Sequence, residues 1–192
     1  MPRFWAGSLA EDAAFERGLT YLYDLRQQLP QSDLIELMLL PEARRSACSW
    51  IGQHIDQLNL RLDALLQRCH QAVPQPAQLS LYAAPLAARF QLDGICCWPM
   101  AEPETKTKTE ALVLLDLGVL APQHWLRLLV HEYAHALCAQ PGHGLKFQAA
   151  LSMLCSALQI ELPASESWYA LPAYPRTADR TAFWQGQPSS SR

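Results

Sequence analysis

The chain has 192 residues, half of them apolar, and a formal net charge of -3 at pH 7. This length and apolar content are enough to bury a hydrophobic core, so we expect one folded domain with extensions. With three lysines and an acidic balance, the chain has no strongly basic surface of the kind that binds phosphate backbones, so its charge does not favour nucleic acid as a partner.

The N-terminal sequence and the cysteines predict a cytoplasmic protein. The N-terminal residues contain no basic segment followed by an apolar one, and the longest apolar run, ALVLLDLGVLA at 111–121, is short and interrupted by Asp116. We therefore expect neither export nor membrane insertion. The six cysteines include no C-x-x-C pair, which favours reduced, buried thiols over disulfides or a cysteine zinc site.

The first 40 residues are predicted to form a helical N-terminal extension. Ser8 begins a capping box (SLAE), apolar residues follow at helical spacing, and Pro30 is expected to end this first helix. Pro41 favours the start of a second helix, whose apolar residues recur with a 3.6-residue period. These residues are Ala47, Ile51, Ile55, Leu58, Leu62, Leu65 and Cys69.

After AVPQPAQ at 72–78, which ends the second helix, the period changes to that of strands. Short strands are predicted in LSLY at 79–82, around ARFQLDGICCW at 88–98 and in TEALVLLD at 109–116, with Gly94 at a turn or bulge. The charged segment AEPETKTKTE at 101–110 is expected to form a solvated hairpin loop.

Helical periodicity returns from Pro122 to the break at Pro141-Gly142, and a further helix is predicted in 144–160. Helices, a small sheet and two more helices in this order are typical of the α+β class. We expect the folded domain to span residues 41–162, after the extension at 1–40, and residues 163–192 to form an irregular, partly disordered tail.

The helix predicted after Pro122 carries an H-E-x-x-H motif. His131 and His135 are four residues apart and lie on one helical face, where both can bind one ion. Glu132 lies about 100° around the helix, where its carboxylate can contact a water on that ion and act as a general base. His143 follows the helix break and is a third candidate ligand. Three protein ligands with one open position are typical of a catalytic Zn²⁺ site.

The histidines also allow other interpretations. The two motif histidines could be core residues bonded to carbonyl groups, but this would leave His143 and its flanking glycines unexplained. His124 lies on the same helical face but about 10 Å away, too far for the same ion. Tyr133 should point away from the metal, and His54 and His70 are expected to be ordinary surface or core residues.

HEYAH at 131–135 and HGLKF at 143–147, preceded by the strand-like ALVLLDLGVL, resemble the motifs of the SprT-like metallopeptidases, the family that includes Spartan. The similarity covers roughly residues 45–160. H-E-x-x-H is shared by many metallopeptidases, whereas the third histidine within H-G-x-x-F is more discriminating. Its distance from the motif also separates the chain from the metzincins.

This resemblance implies a zincin-like domain with Zn²⁺ as its cofactor and a protein or peptide as its substrate. His131, His135 and His143 would bind the zinc, Glu132 would activate the water, and Phe147 would pack the last helix against the site. Many relatives also have a C-terminal zinc ribbon and basic DNA-binding surfaces, which this sequence does not show. A DNA-associated protease is therefore an alternative rather than the expectation.

We predict a zinc-dependent metallopeptidase in which Glu132 takes a proton from the attacking water and passes it to the leaving amine. The sheet could hold an extended peptide at its edge. Tyr169, Tyr174 and Arg176 are candidates for stabilising the oxyanion. Glu161 on the next predicted helix is an alternative metal ligand of the thermolysin-like kind. The alternative from another class is a non-catalytic interaction module whose metal only stabilises the fold.

Overall fold

The computed structural model describes residues 4–37, 41–98, 110–162 and 179–187. These residues form helices and one three-stranded sheet, which confirms the predicted α+β class. The helices are α1 (Phe4–Gln28), α2 (Pro41–Gln71), α3 (Trp125–Cys138), α4 (Leu145–Leu158) and α5 (Arg180–Trp184), and the strands are β1 (Leu79–Ala83), β2 (Gly94–Cys97) and β3 (Ala111–Leu115). No helix in these ranges combines the length and the apolar character needed to span a bilayer.

The helices α1 and α2 cross in direct backbone contact because each has a glycine at the crossing. A Cβ atom on Gly18 would lie 2.0 Å from the carbonyl oxygen of Cys48, and one on Gly52 would lie 1.9 Å from the carbonyl oxygen of Ala14. Both distances are far below van der Waals contact, so only glycine fits at either position. The closeness of the two backbones brings α1 into the hydrophobic core.

The boundaries and buried face of the N-terminal helices differ from the prediction in two places. Helix α1 begins at Phe4, ahead of the capping box expected at Ser8, because no proline interrupts the intervening residues. Helix α2 begins at Pro41 as predicted. Its buried face includes Leu66, whereas Leu65 is only half-buried, because the line of contact with the core follows the four-residue step from Leu62.

The strands are ordered β1-β3-β2, with β1 parallel and β2 antiparallel to the central β3. Every residue of β3 is buried, as expected for a strand that has neighbours on both sides and is covered on both faces. The strand predicted around 88–98 is shorter than expected, since residues 88–90 form a 3₁₀ turn and Gln91 has a left-handed backbone with φ of 53°. The hairpin loop predicted at 101–110 lies, except for Glu110, outside the described residues.

The hydrogen bonds between β2 and β3 determine which groups of β2 face away from the sheet. The N–H of Asp116 donates to the carbonyl oxygen of Asp93 at 2.9 Å, and this pair directly precedes the pair formed by Gly94 and its partner on β3. Bonded and non-bonded pairs alternate along antiparallel strands. The backbone groups of Gly94 and Cys96 therefore point to the outer edge of β2, with which no other described strand pairs.

Helix α3 packs against β2 and β3 and also against α4. It ends at Cys138, before the break expected at Pro141, because Ala139 has a left-handed backbone with φ of 50°. The residue before a proline also disfavours helical backbone, so the chain cannot resume the helix at Gln140. This turn leads directly to the segment that carries His143.

The tail predicted to be irregular contains a helix, α5, which corrects that expectation for residues 180–184. Its Trp184 is 1% exposed, and the rings of Phe183 and Trp184 meet Trp50 of α2 edge to face at 5.0 and 6.1 Å. So short a helix has no periodicity in its sequence, and packing against α2 rather than a local pattern stabilises it. Residues 163–178 and 188–192 lie outside the described residues.

Replacing Gly52 by alanine should lower the free energy of unfolding by up to about 2 kcal/mol, because an overpacking cost of about 1–3 kcal/mol outweighs a helix-propensity gain of about 1 kcal/mol. Urea unfolding followed by circular dichroism measures this difference. Gly142→Ala is the matched control, since a Cβ there meets no atom within 4 Å, and it should change stability by less than about 0.5 kcal/mol. Equal stabilities of the two variants would contradict the close crossing of α1 and α2.

Candidate metal centre

Helix α3 and the turn that follows it bring three histidines together. His131 and His135 lie one helical turn apart on α3, and His143 lies just before α4. One ligand nitrogen from each ring lies within 4.8 Å of the others, and the Nε2 atoms of His131 and His143 are 3.1 Å apart. Among the described residues, this is the one group of three side chains close enough to bind a metal ion together.

The spacing and protonation of the three rings are compatible with zinc. Two nitrogens that each lie about 2.1 Å from a tetrahedral Zn²⁺ are separated by about 3.4 Å. Burial and the neighbouring histidines lower the pKa of His131 to about 3, and burial also lowers the pKa of His135 and of His143. All three rings are therefore neutral at pH 7, the form in which imidazole binds a metal.

The ring of His135 is oriented by a backbone carbonyl group. Its Nδ1 lies 3.0 Å from the carbonyl oxygen of Gln140, and because a carbonyl only accepts, Nδ1 must carry the hydrogen. The lone pair is then on Nε2, available to an ion, and the outer contact fixes the ring. The left-handed turn at Ala139 brings this carbonyl to the ring. The sequence does not reveal this contact, since any residue type supplies a backbone carbonyl.

Phe147 of α4 packs against all three imidazoles, in agreement with what the resemblance implies. Its ring centroid lies 5.0 Å from that of His131, 4.3 Å from that of His135 and 4.6 Å from that of His143. The phenyl ring itself is fully buried. A rigid apolar wall beside the nitrogens limits ring rotation and excludes water from that side of the group.

The carboxyl group of Glu132 lies between α3 and the first residues of β2. It is 6% exposed, and a Cβ on Gly94 would lie only 2.9 Å from its Cγ and Oε1 atoms. The N–H of Cys96, which points to the outer edge of β2, acts as a hydrogen-bond donor that lowers the pKa of this carboxyl. Gly94 is therefore not at a turn or bulge as predicted. It begins β2, and its missing side chain leaves the space that the carboxyl fills.

Burial, and to a lesser degree the nearby carboxylate of Asp93, raise the pKa of Glu132 to about 8, and the hydrogen bond from Cys96 opposes the shift. Without a cation close by, Glu132 is therefore mostly protonated at pH 7, and a positive charge near it favours the ionised form. A carboxyl with a pKa near neutrality can both accept and donate a proton.

One arginine of α5 joins two acidic residues beside β2. The Nη2 atom of Arg180 lies 3.4 Å from Asp93, and its Nη1 atom lies 3.4 Å from Asp116 and 2.8 Å from the carbonyl oxygen of Leu92. Burial raises the pKa of Asp116 to about 6, and its hydrogen-bond donors oppose this shift. Those donors include the N–H groups of Leu86 and Gly118 and the indole N–H of Trp184.

The sequence did not single out Asp93 or Arg180. They are 87 positions apart, and neither belongs to a recognisable motif. The only local signal is that Asp93 immediately precedes the glycine of DGICC. Their proximity follows from the docking of α5, which local sequence patterns do not predict.

The other candidates do not join the three histidines. Tyr133 is fully buried, and its hydroxyl accepts a hydrogen bond from the N–H of Ala77 at 3.1 Å, so it is a core residue as expected. Four further residues lie outside the histidine cluster: His54, His70, His124 and Glu161. The oxyanion candidates lie outside the described residues: Tyr169, Tyr174 and Arg176.

Comparison of the chain with known protein families, with curated proteins and with solved structures finds no match. The resemblance to SprT-like metallopeptidases therefore stands on the motif residues in 131–147. The geometry adds three neutral nitrogens in one cluster and a buried carboxyl at the edge of a sheet. These features are the basis on which a function is proposed.

The purified protein should bind one equivalent of Zn²⁺, and His143→Ala should weaken binding by more than the roughly 10- to 100-fold typical of losing an outer-shell partner, because a direct ligand is removed. Calorimetric titration in the presence of a competing chelator measures both affinities. His124→Ala is the matched control and should bind like the wild type. A wild type without stoichiometric metal, or equal losses in the two variants, would contradict the assignment.

Proposed function

We propose that this protein is a zinc-dependent metallopeptidase that hydrolyses peptide bonds of protein substrates, with a zincin-like arrangement of its metal helix and sheet. The observation that carries the proposal is the position of Glu132. Its carboxyl follows a candidate metal ligand in sequence, is buried, and lies against Gly94 at the start of β2, whose outer edge is open among the described strands. A base for hydrolysis and a surface for an extended peptide thus adjoin each other.

The three histidines would hold the ion through neutral nitrogens, with His135 fixed by Gln140 and all three rings packed on Phe147. Zn²⁺ bound there would acidify a water molecule and polarise the carbonyl group of the scissile bond. Three protein ligands leave a coordination position for the reactants, which a structural site with four protein ligands lacks.

Glu132 would act as the proton carrier of the reaction. Its carboxylate accepts a proton from the attacking water and delivers that proton to the nitrogen of the leaving amine. Both transfers require one oxygen to stay in place, and the hydrogen bond from the Cys96 N–H restrains the carboxyl. The space at Gly94 lets the carboxyl remain against the strand during both transfers.

The outer edge of β2 is suited to binding an extended peptide. The backbone groups of Gly94 and Cys96 face this edge, and an added strand pairs with such groups without reference to the peptide's sequence. Because the Cys96 N–H already bonds Glu132, the groups left for a peptide are the N–H and carbonyl of Gly94 and the carbonyl of Cys96. The net charge of -3 favours a protein rather than DNA as the partner.

Glu132→Gln should abolish hydrolysis without changing zinc affinity. The amide has nearly the same size and still accepts the Cys96 hydrogen bond, but it does not take up a proton, and general acid–base catalysis contributes about 100- to 10,000-fold to rates. Cleavage of labelled casein by protein loaded with one equivalent of Zn²⁺ measures the loss. Glu161→Gln changes an exposed carboxylate in the same way and should retain the wild-type rate.

Three results would contradict parts of this proposal. Equal activity of Glu132→Gln and the wild type would remove the role of Glu132. A zinc-loaded wild type that cleaves neither casein nor a peptide library, but loses thermal stability on chelation, would favour the non-catalytic module. Cleavage that requires DNA and disappears at high salt would favour the DNA-associated protease.

A further inference from the structure

We propose that Arg180 of α5 is a positioning residue for Glu132, acting through Asp93 and the first residues of β2. The inference rests on the proposed function, since positioning matters for activity only if Glu132 moves protons. The contacts that carry it are structural, however, and they can be measured without a metal or a substrate.

The guanidinium of Arg180 joins the residues before β2 to the residue after β3. It donates to the carbonyl oxygen of Leu92 at 2.8 Å and lies 3.4 Å from both Asp93 and Asp116. Its side chain is 19% exposed and that of Asp93 is 8% exposed, so water and salt screen these contacts less than at the surface. The planar guanidinium contacts all three groups at once, which the single ammonium of lysine does not reproduce.

The start of β2 in turn positions the carboxyl of Glu132. Asp93 immediately precedes Gly94, where a Cβ would lie 2.9 Å from the Glu132 carboxyl, and the N–H of Cys96 donates to that carboxyl. A displacement of a few tenths of an ångström at Asp93 would therefore change both contacts of Glu132 with β2. Without Arg180, one side-chain partner that holds this segment against β3 is lost.

The docking of α5 does not depend on Arg180 alone, so the loss of the guanidinium contacts can be tested separately from the loss of α5 docking. Trp184 is 1% exposed, donates to Asp116 at 2.8 Å and packs against Trp50. We therefore expect Arg180→Met to fold with α5 in place. Trp184→Phe removes the indole donor and weakens the docking while it leaves the guanidinium of Arg180 intact.

Amide hydrogen exchange in metal-free protein tests the proposal directly. The Cys96 amide faces the edge of β2 and bonds Glu132, whereas the Ile95 amide faces β3 and is an internal control. In Arg180→Met the Cys96 amide should exchange at least about tenfold faster while the Ile95 amide is unchanged. Trp184→Phe should leave the ratio of the two exchange rates as in the wild type.

With zinc-loaded protein and casein, Arg180→Met should lower kcat about a hundredfold, the scale of a small misplacement of a catalytic group, with KM and zinc affinity unchanged. Arg180→Lys should recover part of the loss. Unchanged exchange at Cys96, equal acceleration at Cys96 and Ile95, or the same selective effect in Trp184→Phe would overturn the proposal. A wild type that hydrolyses nothing removes the proposed function, but the exchange comparison still decides whether Arg180 positions Glu132.

Discussion

The contact between the Glu132 carboxyl and the start of β2 is the constraint on which the rest of the site depends. A carboxyl that is 6% exposed needs both space and a hydrogen-bond donor, and the edge strand provides both. Gly94 supplies the space because it has no side chain, and Cys96 supplies the donor because its N–H points away from β3. This requires β2 to start at the residue it does and to pair with β3 in the register it has.

Register at the end of a short strand is weakly determined by the strand itself, since β2 has only four residues. Contacts from outside the sheet hold it. The N–H of Asp116 bonds the carbonyl of Asp93, and Arg180 bonds the carbonyl of Leu92 and lies beside the carboxylates of both aspartates. Asp116 is completely buried and each of its carboxylate oxygens has two donors, so losing both donors to one oxygen would leave a buried polar atom unsatisfied at a cost of about 1–3 kcal/mol.

The cluster of three histidines could be predicted from the sequence because the features that bring them together are local. A helix places His131 and His135 on one face, and the break after α3 returns His143 within a few residues. The central strand could be predicted equally well, since a continuous apolar run indicates the buried strand β3.

The surroundings of Glu132 depend on contacts between residues that are distant in sequence, so no local sequence pattern predicts them. Arg180 lies 87 positions from Asp93, and α5 is helical only because Trp184 and Phe183 pack against Trp50. The role of Gly94 could not be predicted either, because the sequence does not distinguish a glycine that makes room for another side chain from a glycine in a turn. Close packing between elements, not local propensity, decides these positions.

This difference between local and distant contacts implies that the proposed metal binding and the proposed catalysis can be separated in this fold. The three candidate ligands and the ring of Phe147 all lie in residues 131–147, so their geometry depends on α3, α4 and the turn between them. The position of Glu132 depends in addition on residues 93–96 and on Arg180. A change at the sheet or in α5 can therefore leave the three nitrogens in place while it displaces the carboxyl of Glu132. In the proposed peptidase, zinc content alone would then not report catalytic competence, because the position of the Glu132 carboxyl against β2 is a separate requirement.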